Sequence, residues 1–326
     1  MNSRLISDGR HECLLCPHHC KLRSGQAGLC MARSGSDNGV ILQAYGSLTG
    51  LAVEPIEKKP FYHYCPGMKT LSIGGWGCPL DCGFCANFTV SQKDRSADSK
   101  VFSPEELVKI ALEKQCDAIC FTYNEPIIYF EYVLDVSALC KIHGLKLILK
   151  TSGYAETEPW LCLCESADAI NIDWKGSTER YRQVARVKPF PIFDRIQEAI
   201  KSGVHVEVSV PVYHDSQLNE YEEFRSFLTN VSPSTPVHLL KIVPSYRFDH
   251  VSLTSDFLLY RLHSYLSEQL SYVYIANLFG ADSKYRDTLC KGCGEVMVER
   301  KSLQSKMLKT DCCDLCPIYT AKSIRY

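Results

Sequence analysis

The chain lacks a charge imbalance, a long apolar run and a leader-like start. Its 36 Lys and Arg stand against 37 Asp and Glu, a formal charge of -1, which gives no electrostatic pull toward nucleic acid or an anionic membrane. No apolar stretch approaches the roughly 20 residues of a membrane span, and Met1-Asn2-Ser3-Arg4 opens no signal peptide. These absences lead to the expectation of a cytoplasmic protein with neither nucleic acid nor membrane as partner. At 326 residues, 45% of them hydrophobic, the chain can bury a sizeable core as one large domain with appendages or as two domains.

Cysteine is what the chain has in quantity, with 18 residues. In a long chain without a leader they point to metal or redox chemistry and not to a disulfide framework. They form three clusters plus singles. Cys116, Cys120, Cys140, Cys162 and Cys164 lie in apolar patterns and read as small core hydrophobes. Cys65 has no assignment.

The central cluster is Cys78-x3-Cys82-x2-Cys85, preceded by Leu71-Ser72-Ile73-Gly74-Gly75-Trp76-Gly77. That segment reads as a buried strand whose terminal glycines let backbone approach a bulky ligand. Three thiolates on a short loop can hold three irons of a cubic 4Fe-4S cluster and leave the fourth open, whereas an electron-transfer cluster normally has four cysteines. The competing readings are a zinc knuckle or core thiols; zinc needs a fourth ligand, and no His or Cys follows closely.

The other two clusters flank it. Cys13, Cys16, Cys20 and Cys30 lie in a polar, turn-rich start and suit a structural zinc site or an auxiliary iron-sulfur cluster, between which spacing does not decide. His18 and His19 can stand in for a thiolate, though an exposed loop histidine is the plainer reading. Near the other end, Cys290-x2-Cys293 and Cys313-x2-Cys316 match a zinc-ribbon spacing; Cys312 competes with Cys313, which the spacing favours.

Between the first two clusters, Val40-Ile41-Leu42 and Leu51-Ala52-Val53 are short strand candidates. The following Glu54-Pro55-Ile56-Glu57-Lys58-Lys59-Pro60, taken alone, reads as a solvated turn. Beyond the central loop, strands and helices alternate. Strands are expected at Ala118–Thr122, Leu145–Leu149, Ala169–Ile172, Val204–Val212 and Val237–Ile242. Helices are expected from Pro104, capped by Ser103 with Glu106, from Tyr129 to His143 ahead of Gly144, and over Ile192–Ser202, Tyr221–Leu228 and Ser255–Glu268. Six such units imply a parallel sheet covered by helices on one side.

The three-cysteine loop, with Phe84 before its last cysteine, resembles the radical S-adenosylmethionine (SAM) superfamily. The Cys-rich start, Glu-Pro-Ile-Glu-Lys-Lys-Pro, and Asn87 and Ser91 after the loop look like the AmmeMemoRadiSam-system enzymes, relatives of the pyruvate formate-lyase activating enzymes. The resemblance implies an α/β fold: a partial (β/α)6 radical SAM barrel over residues 69–280. A Cys-rich N-terminal extension and connector (1–68) precedes it, and a Cys-rich, zinc-ribbon-like metal-binding segment (281–326) follows.

It further implies that SAM chelates the open iron of the 4Fe-4S cluster. One electron, from a reductant such as a flavodoxin or ferredoxin, then yields methionine and a 5'-deoxyadenosyl radical. That radical takes hydrogen from a protein or peptide substrate, a small molecule being the alternative. Thr122-Tyr123-Asn124-Glu125-Pro126 stands where many relatives carry Gly-Gly-Glu-Pro, so Glu125, with Asn124 beside it, is expected to receive the SAM ammonium group. Thr151, Ser152, Asp173 and Lys175 correspond to elements that contact the SAM carboxylate and ribose, and Phe84 belongs to the cofactor loop. Lys150 takes the place of an acidic residue that helps hold a monovalent cation in some activating enzymes, so no such cation is expected. A metal-stapled binding module without catalysis would leave the loop and these strand-end polar residues without a role.

Overall fold

The computed structural model describes residues 2–92, 99–278 and 280–308. Its centre is a nine-stranded mixed sheet. In chain order the strands are β1 (Ser47–Pro55), β2 (Lys69–Gly75), β3 (Lys100–Val101), β4 (Ala118–Phe121), β5 (Lys146–Thr151), β6 (Ala169–Asp173), β7 (His205–Val212), β8 (Val237–Lys241) and β9 (Val273–Ile275). Across the sheet they run β9-β8-β7-β6-β5-β4-β2-β1-β3. Every pair from β2 to β9 is parallel, while β1 runs antiparallel to β2 and to β3.

All six expected strands are present, and the sheet exceeds them. β9 adds a seventh parallel strand; three residues are too short for periodicity to reveal. Leu51-Ala52-Val53 sits inside the nine-residue β1, which pairs with β2 along most of its length, so the central sheet continues into the connector. Because each crossover steps onward in one direction, right-handed connections place the covering helices on one face. The Ser103 capping box and the left-handed Gly144 (φ 72°) bound helices where expected. Two further helices, Thr157–Ser166 and Thr178–Ala185, were not anticipated. On the first of them Cys162 is exposed while Cys164 is buried, since residues two apart on a helix do not share a face. Cys162 is therefore not a core residue, whereas Cys116, Cys120 and Cys140 are.

The helix-covered face is apolar, with Leu71, Ile119, Leu149, Ile172, Val208 and Leu239 in one core. The opposite face is polar toward β7, where Asn171, Glu207, Ser209 and His238 are all fully buried. The heptapeptide, whose first two residues end β1, is not a solvated turn. Ile56, Glu57 and Lys59 are buried there, and the segment after it lies across the polar face. The Glu207 carboxylate accepts the backbone N–H groups of Tyr62, His63 and Tyr64 at 2.8, 2.9 and 3.0 Å. It also accepts from His205 at 2.9 Å and His238 at 2.6 Å. The Asn171 amide donates to the Pro60 carbonyl at 2.7 Å. The backbone partners, Pro60 and Tyr62 to Tyr64, lie some 110 to 145 residues away in sequence, out of reach of any local pattern.

The N-terminal segment is more regular than its composition indicated. Ser3–Leu5, His11–Cys13 and Lys21–Leu22 form a small antiparallel sheet, and Arg33–Ser36 pairs with Gly39–Leu42. No helix among the described residues is long and apolar enough to cross a membrane.

This polar face makes stability depend on acidity. Burial pushes His63 down to about 3 and also pushes His238 down, so both stay neutral near pH 7. Burial would raise Glu207, but hydrogen bonds from His205 and His238 outweigh it and hold the carboxyl well below its usual range. Unfolded, histidine titrates near 6.5 and glutamate near 4.3. As pH falls through each value the unfolded chain takes up protons that the folded chain does not, so stability should drop in both windows. Urea midpoints measured from about pH 7.5 down to about 3.5 should show both declines, and Glu207→Gln should lessen the lower one, Asp173 being held low as well. A midpoint flat between about pH 7 and 5 would contradict the neutral histidines.

Candidate active site

Parallel strands in register bring their C-terminal ends to one edge, the place where α/β sheets gather ligands. Here β2 runs into the cysteine loop, β4 into residues 122–126, β5 into Thr151-Ser152-Gly153 and β6 into Asp173-Trp174-Lys175. All these candidates meet. Cys78, Cys82, Cys85 and Phe84 from the loop line one pocket of about 640 Å³ together with Asn124, Glu125, Thr151, Ser152, Asp173 and Lys175. That volume lies within the roughly 300–1,000 Å³ typical of small-molecule and cofactor sites.

The loop is held from behind. The Asn124 amide donates to the carbonyls of Gly75 and Gly77, both at 2.9 Å, and the Tyr129 hydroxyl donates to Trp76 O at 2.8 Å. Asn124 therefore positions the loop, beyond the cofactor contact expected of it. Gly77 has φ +85°, and a Cβ there would lie 2.2 Å from the Cys30 carbonyl oxygen. Cys85 Sγ lies 3.4 Å from Ser91 Oγ. Burial pushes the Cys78 and Cys82 thiols up, Cys82 to about 12 against the opposing pull of Lys175. Thiolates at these positions need a cation beside them.

Glu125 sits at the back of the pocket. Burial raises its carboxyl, while the Ser152 and Thr151 hydroxyls and the Ser152 N–H pull it back. Those bonds come from Ser152 N at 2.8 Å, Ser152 Oγ at 2.6 Å and the Thr151 hydroxyl. Thr151 and Ser152 thus fix the carboxylate and leave it lone pairs for an arriving cation. Asp173 bridges two ammonium groups, Lys175 Nζ at 2.7 Å and Lys150 Nζ, and the latter also donates to Asn171 at 2.6 Å. Burial would raise Asp173, but the two lysines hold it at about 2. Burial likewise opposes charge on Lys175, yet Asp173 outweighs it and keeps the ammonium form. Lys175 Nζ stands 5.8 Å from the Phe84 ring centroid, and Phe84 packs edge-on against Tyr213.

Sequence reasoning passed over Tyr123, Lys59 and Glu54. Tyr123 has φ +70°, a left-handed conformation that glycine adopts freely, which accounts for glycine in the pattern it replaces. Its hydroxyl donates to Glu54 at 2.9 Å, Glu54 also receives Lys58 and Lys59, and the Lys59 ammonium lies 5.1 Å from the Tyr123 ring centroid. The heptapeptide therefore forms a wall of the same pocket. The heptapeptide carries part of the family resemblance, but nothing local in it marks Glu54 or Lys59 as pocket residues.

Cys13, Cys16, Cys20 and Cys30 line a second, smaller cavity. The His18 ring N–H donates to the Pro79 carbonyl at 2.7 Å, and His19 pairs with Glu156 at 2.9 Å. Cys290 is buried and Cys293 exposed; Cys312, Cys313 and Cys316 lie outside the described residues. Among the described residues no three His, Cys, Asp or Glu side chains form a group that could hold a single metal ion.

A parallel sheet whose strand ends and three-cysteine loop share one pocket is the setting of the family that implies an iron-sulfur cluster and SAM. The chain belongs to the radical SAM superfamily, whose model matches residues 73–228. It is 32% identical over 311 residues to the uncharacterized protein MJ0808 of Methanocaldococcus jannaschii, covering 94% of this chain and 92% of that one. It is also 25% identical over 185 residues to the pyruvate formate-lyase-activating enzyme of Clostridium pasteurianum, covering 54% of this chain and 75% of that enzyme. The fold is similar to that of Streptococcus suis SuiB bound to precursor peptide SuiA, with a TM-score of 0.50 and 14% identity over 67% of this chain. The likeness spans half of SuiB and concerns the fold alone.

The backing of the loop is testable at Gly77. Gly77→Ala should sharply lower the iron retained per chain after anaerobic reconstitution, because the new Cβ collides with backbone. Gly144→Ala, at φ +72° with nothing within 4 Å, should cost about 1–2 kcal/mol of stability and leave iron unchanged. Equal iron in both variants would contradict the role of the Cys30–Gly77 contact.

Proposed function

We propose that this chain is an activating-enzyme-like radical SAM enzyme that takes hydrogen from a protein or peptide. The observation that carries the reading is the convergence of three thiols, the Glu125 carboxylate and the Lys175 ammonium on one pocket. Cys78, Cys82 and Cys85 would hold a 4Fe-4S cluster whose fourth iron is left without a protein ligand. When bound, the cluster supplies one electron for reductive cleavage of SAM.

The protein's own residues orient SAM. Glu125, fixed by Thr151 and Ser152, receives the ammonium group, and an arriving cation favours its ionised form. Lys175 neutralises the SAM carboxylate while Asp173 fixes its position. Lys150 supplies a second, half-buried cation to Asp173, and so takes the place of a monovalent metal ion. Phe84 closes the pocket beside the loop and keeps water from the charged groups.

The protein-substrate side of the proposal is supported by the activating-enzyme relative, whose name describes action on another protein. A flavodoxin or ferredoxin-type donor would supply the electron. The sheet with its covering helices would form the partial barrel over residues 69–280, with residues 1–68 and 281–326 as metal-stapled extensions of a cytoplasmic protein. We assign Cys290, Cys293, Cys313 and Cys316 to a closed zinc site; the Gly292 N–H on Cys290 Sγ at 3.3 Å is the turn such a knuckle uses. The four N-terminal cysteines form a closed metal site as well.

Two measurements test the reading. Replacing Cys78, Cys82 and Cys85 with Ala should abolish reductive formation of 5'-deoxyadenosine under anaerobic conditions, and persistence of that product would overturn the cluster assignment. Glu125→Ala and Lys175→Ala, with the cluster intact, should each weaken SAM binding roughly ten- to a hundredfold, the loss of a charge-assisted contact of about 1.5–3 kcal/mol. Unchanged affinity in a titration would remove that residue from the SAM site.

A further inference from the structure

Cys13, Cys16, Cys20 and Cys30 come from different turns of the N-terminal segment and face a single cavity, together with Leu15, Arg33 and Ile128. Cys13, Cys16 and Cys30 are buried, and none of the four is in a disulfide. The Leu29 N–H donates to Cys20 Sγ at 3.5 Å.

Arg33 is the second observation. It is 2% exposed and lines the cavity. Its terminal nitrogens bond Glu131 at 2.7 and 2.6 Å and the Ile128 carbonyl at 3.1 Å, yet its buried Nε has no hydrogen-bond partner. A buried unpaired donor is costly, and this one belongs to a residue on the wall of a sulfur-lined cavity. An anionic occupant would answer it.

The sulfurs surround a space and do not converge on a point. Zinc needs its ligands tetrahedral at about 2.3 Å from one centre, and no three candidate ligands among the described residues form a single-ion group. A cubic cluster places one cysteine on each of four irons and fills the space between them. His18 is not needed as a ligand, being engaged with the Pro79 carbonyl at 2.7 Å.

We propose that Cys13, Cys16, Cys20 and Cys30 hold a closed iron-sulfur cluster, separate from the one on Cys78, Cys82 and Cys85 and with no iron open to SAM. The proposal rests on the closed-site reading of these four cysteines given above and narrows it to one chemistry. Its walls abut the SAM-cluster loop. The Cys30 carbonyl presses on Gly77, immediately before Cys78, and His18 grips Pro79, immediately after it. Loading of the N-terminal site thereby bears on the geometry of the catalytic loop.

The test uses the full chain with Cys78, Cys82 and Cys85 replaced by Ala, reconstituted anaerobically with ferrous iron and sulfide. It should retain ~4 iron and ~4 sulfide per chain and, once reduced, give an electron paramagnetic resonance signal that SAM leaves unchanged. Adding Cys13→Ser and Cys16→Ser should remove both iron and sulfide. Zinc without sulfide, or iron that survives those two further changes, would overturn the proposal. Should that variant fail to fold, the wild-type chain decides. Two reduced signals, only one of them shifted by SAM, support the proposal, and a single signal wholly shifted by SAM refutes it. Since metal and sulfide are counted without SAM cleavage, failure of the enzymatic reading is separately visible.

Discussion

One carboxylate, Glu207, holds the molecule in its working arrangement. A sheet with helices on one face has a second face to fill, and here that face carries buried polar groups that are tolerable only when paired. Glu207 gathers the backbone N–H groups of three successive residues, Tyr62 to Tyr64, with His205 and His238 beside them. That grip draws the segment after β1 across the sheet. It places Lys58, Lys59 and Pro60 at the wall of the pocket, whose opposite side is built by the strand ends.

From Glu207 the buried polar groups continue in steps toward the reaction site. Asn171, beside it in the register of β6 and β7, receives Lys150 and Ser209. Lys150 passes to Asp173, and Asp173 to Lys175. Each charge has an opposite neighbour, so Lys175 can stay ionised although buried, and an anion entering the pocket meets a cation already fixed in place. Glu125 presents the opposite charge across the same pocket.

Local structure was legible wherever the cause was local. The Ser103 cap with Glu106, the stop at Gly144 and the apolar strands all follow from neighbouring residues, and the cysteine loop and the strand-end residues 124, 125, 151, 152, 173 and 175 do meet. What escaped depends on distant partners. The charged heptapeptide looks solvated until Tyr123 and the inner face of the sheet are laid over it. β9 is three residues long and owes its place to β8. The backing of Gly77 by Cys30 joins residues 47 positions apart, and no periodicity encodes it.

The central claim is that the chain presents SAM's amino and carboxylate groups to an iron that lacks a protein ligand. Electron-nuclear double resonance on the reduced wild-type protein, with SAM labelled with ¹⁵N in its amino group and ¹⁷O in its carboxylate, tests this most directly. The account predicts hyperfine coupling of both labels to the cluster. Binding of labelled SAM with neither label coupled would contradict it.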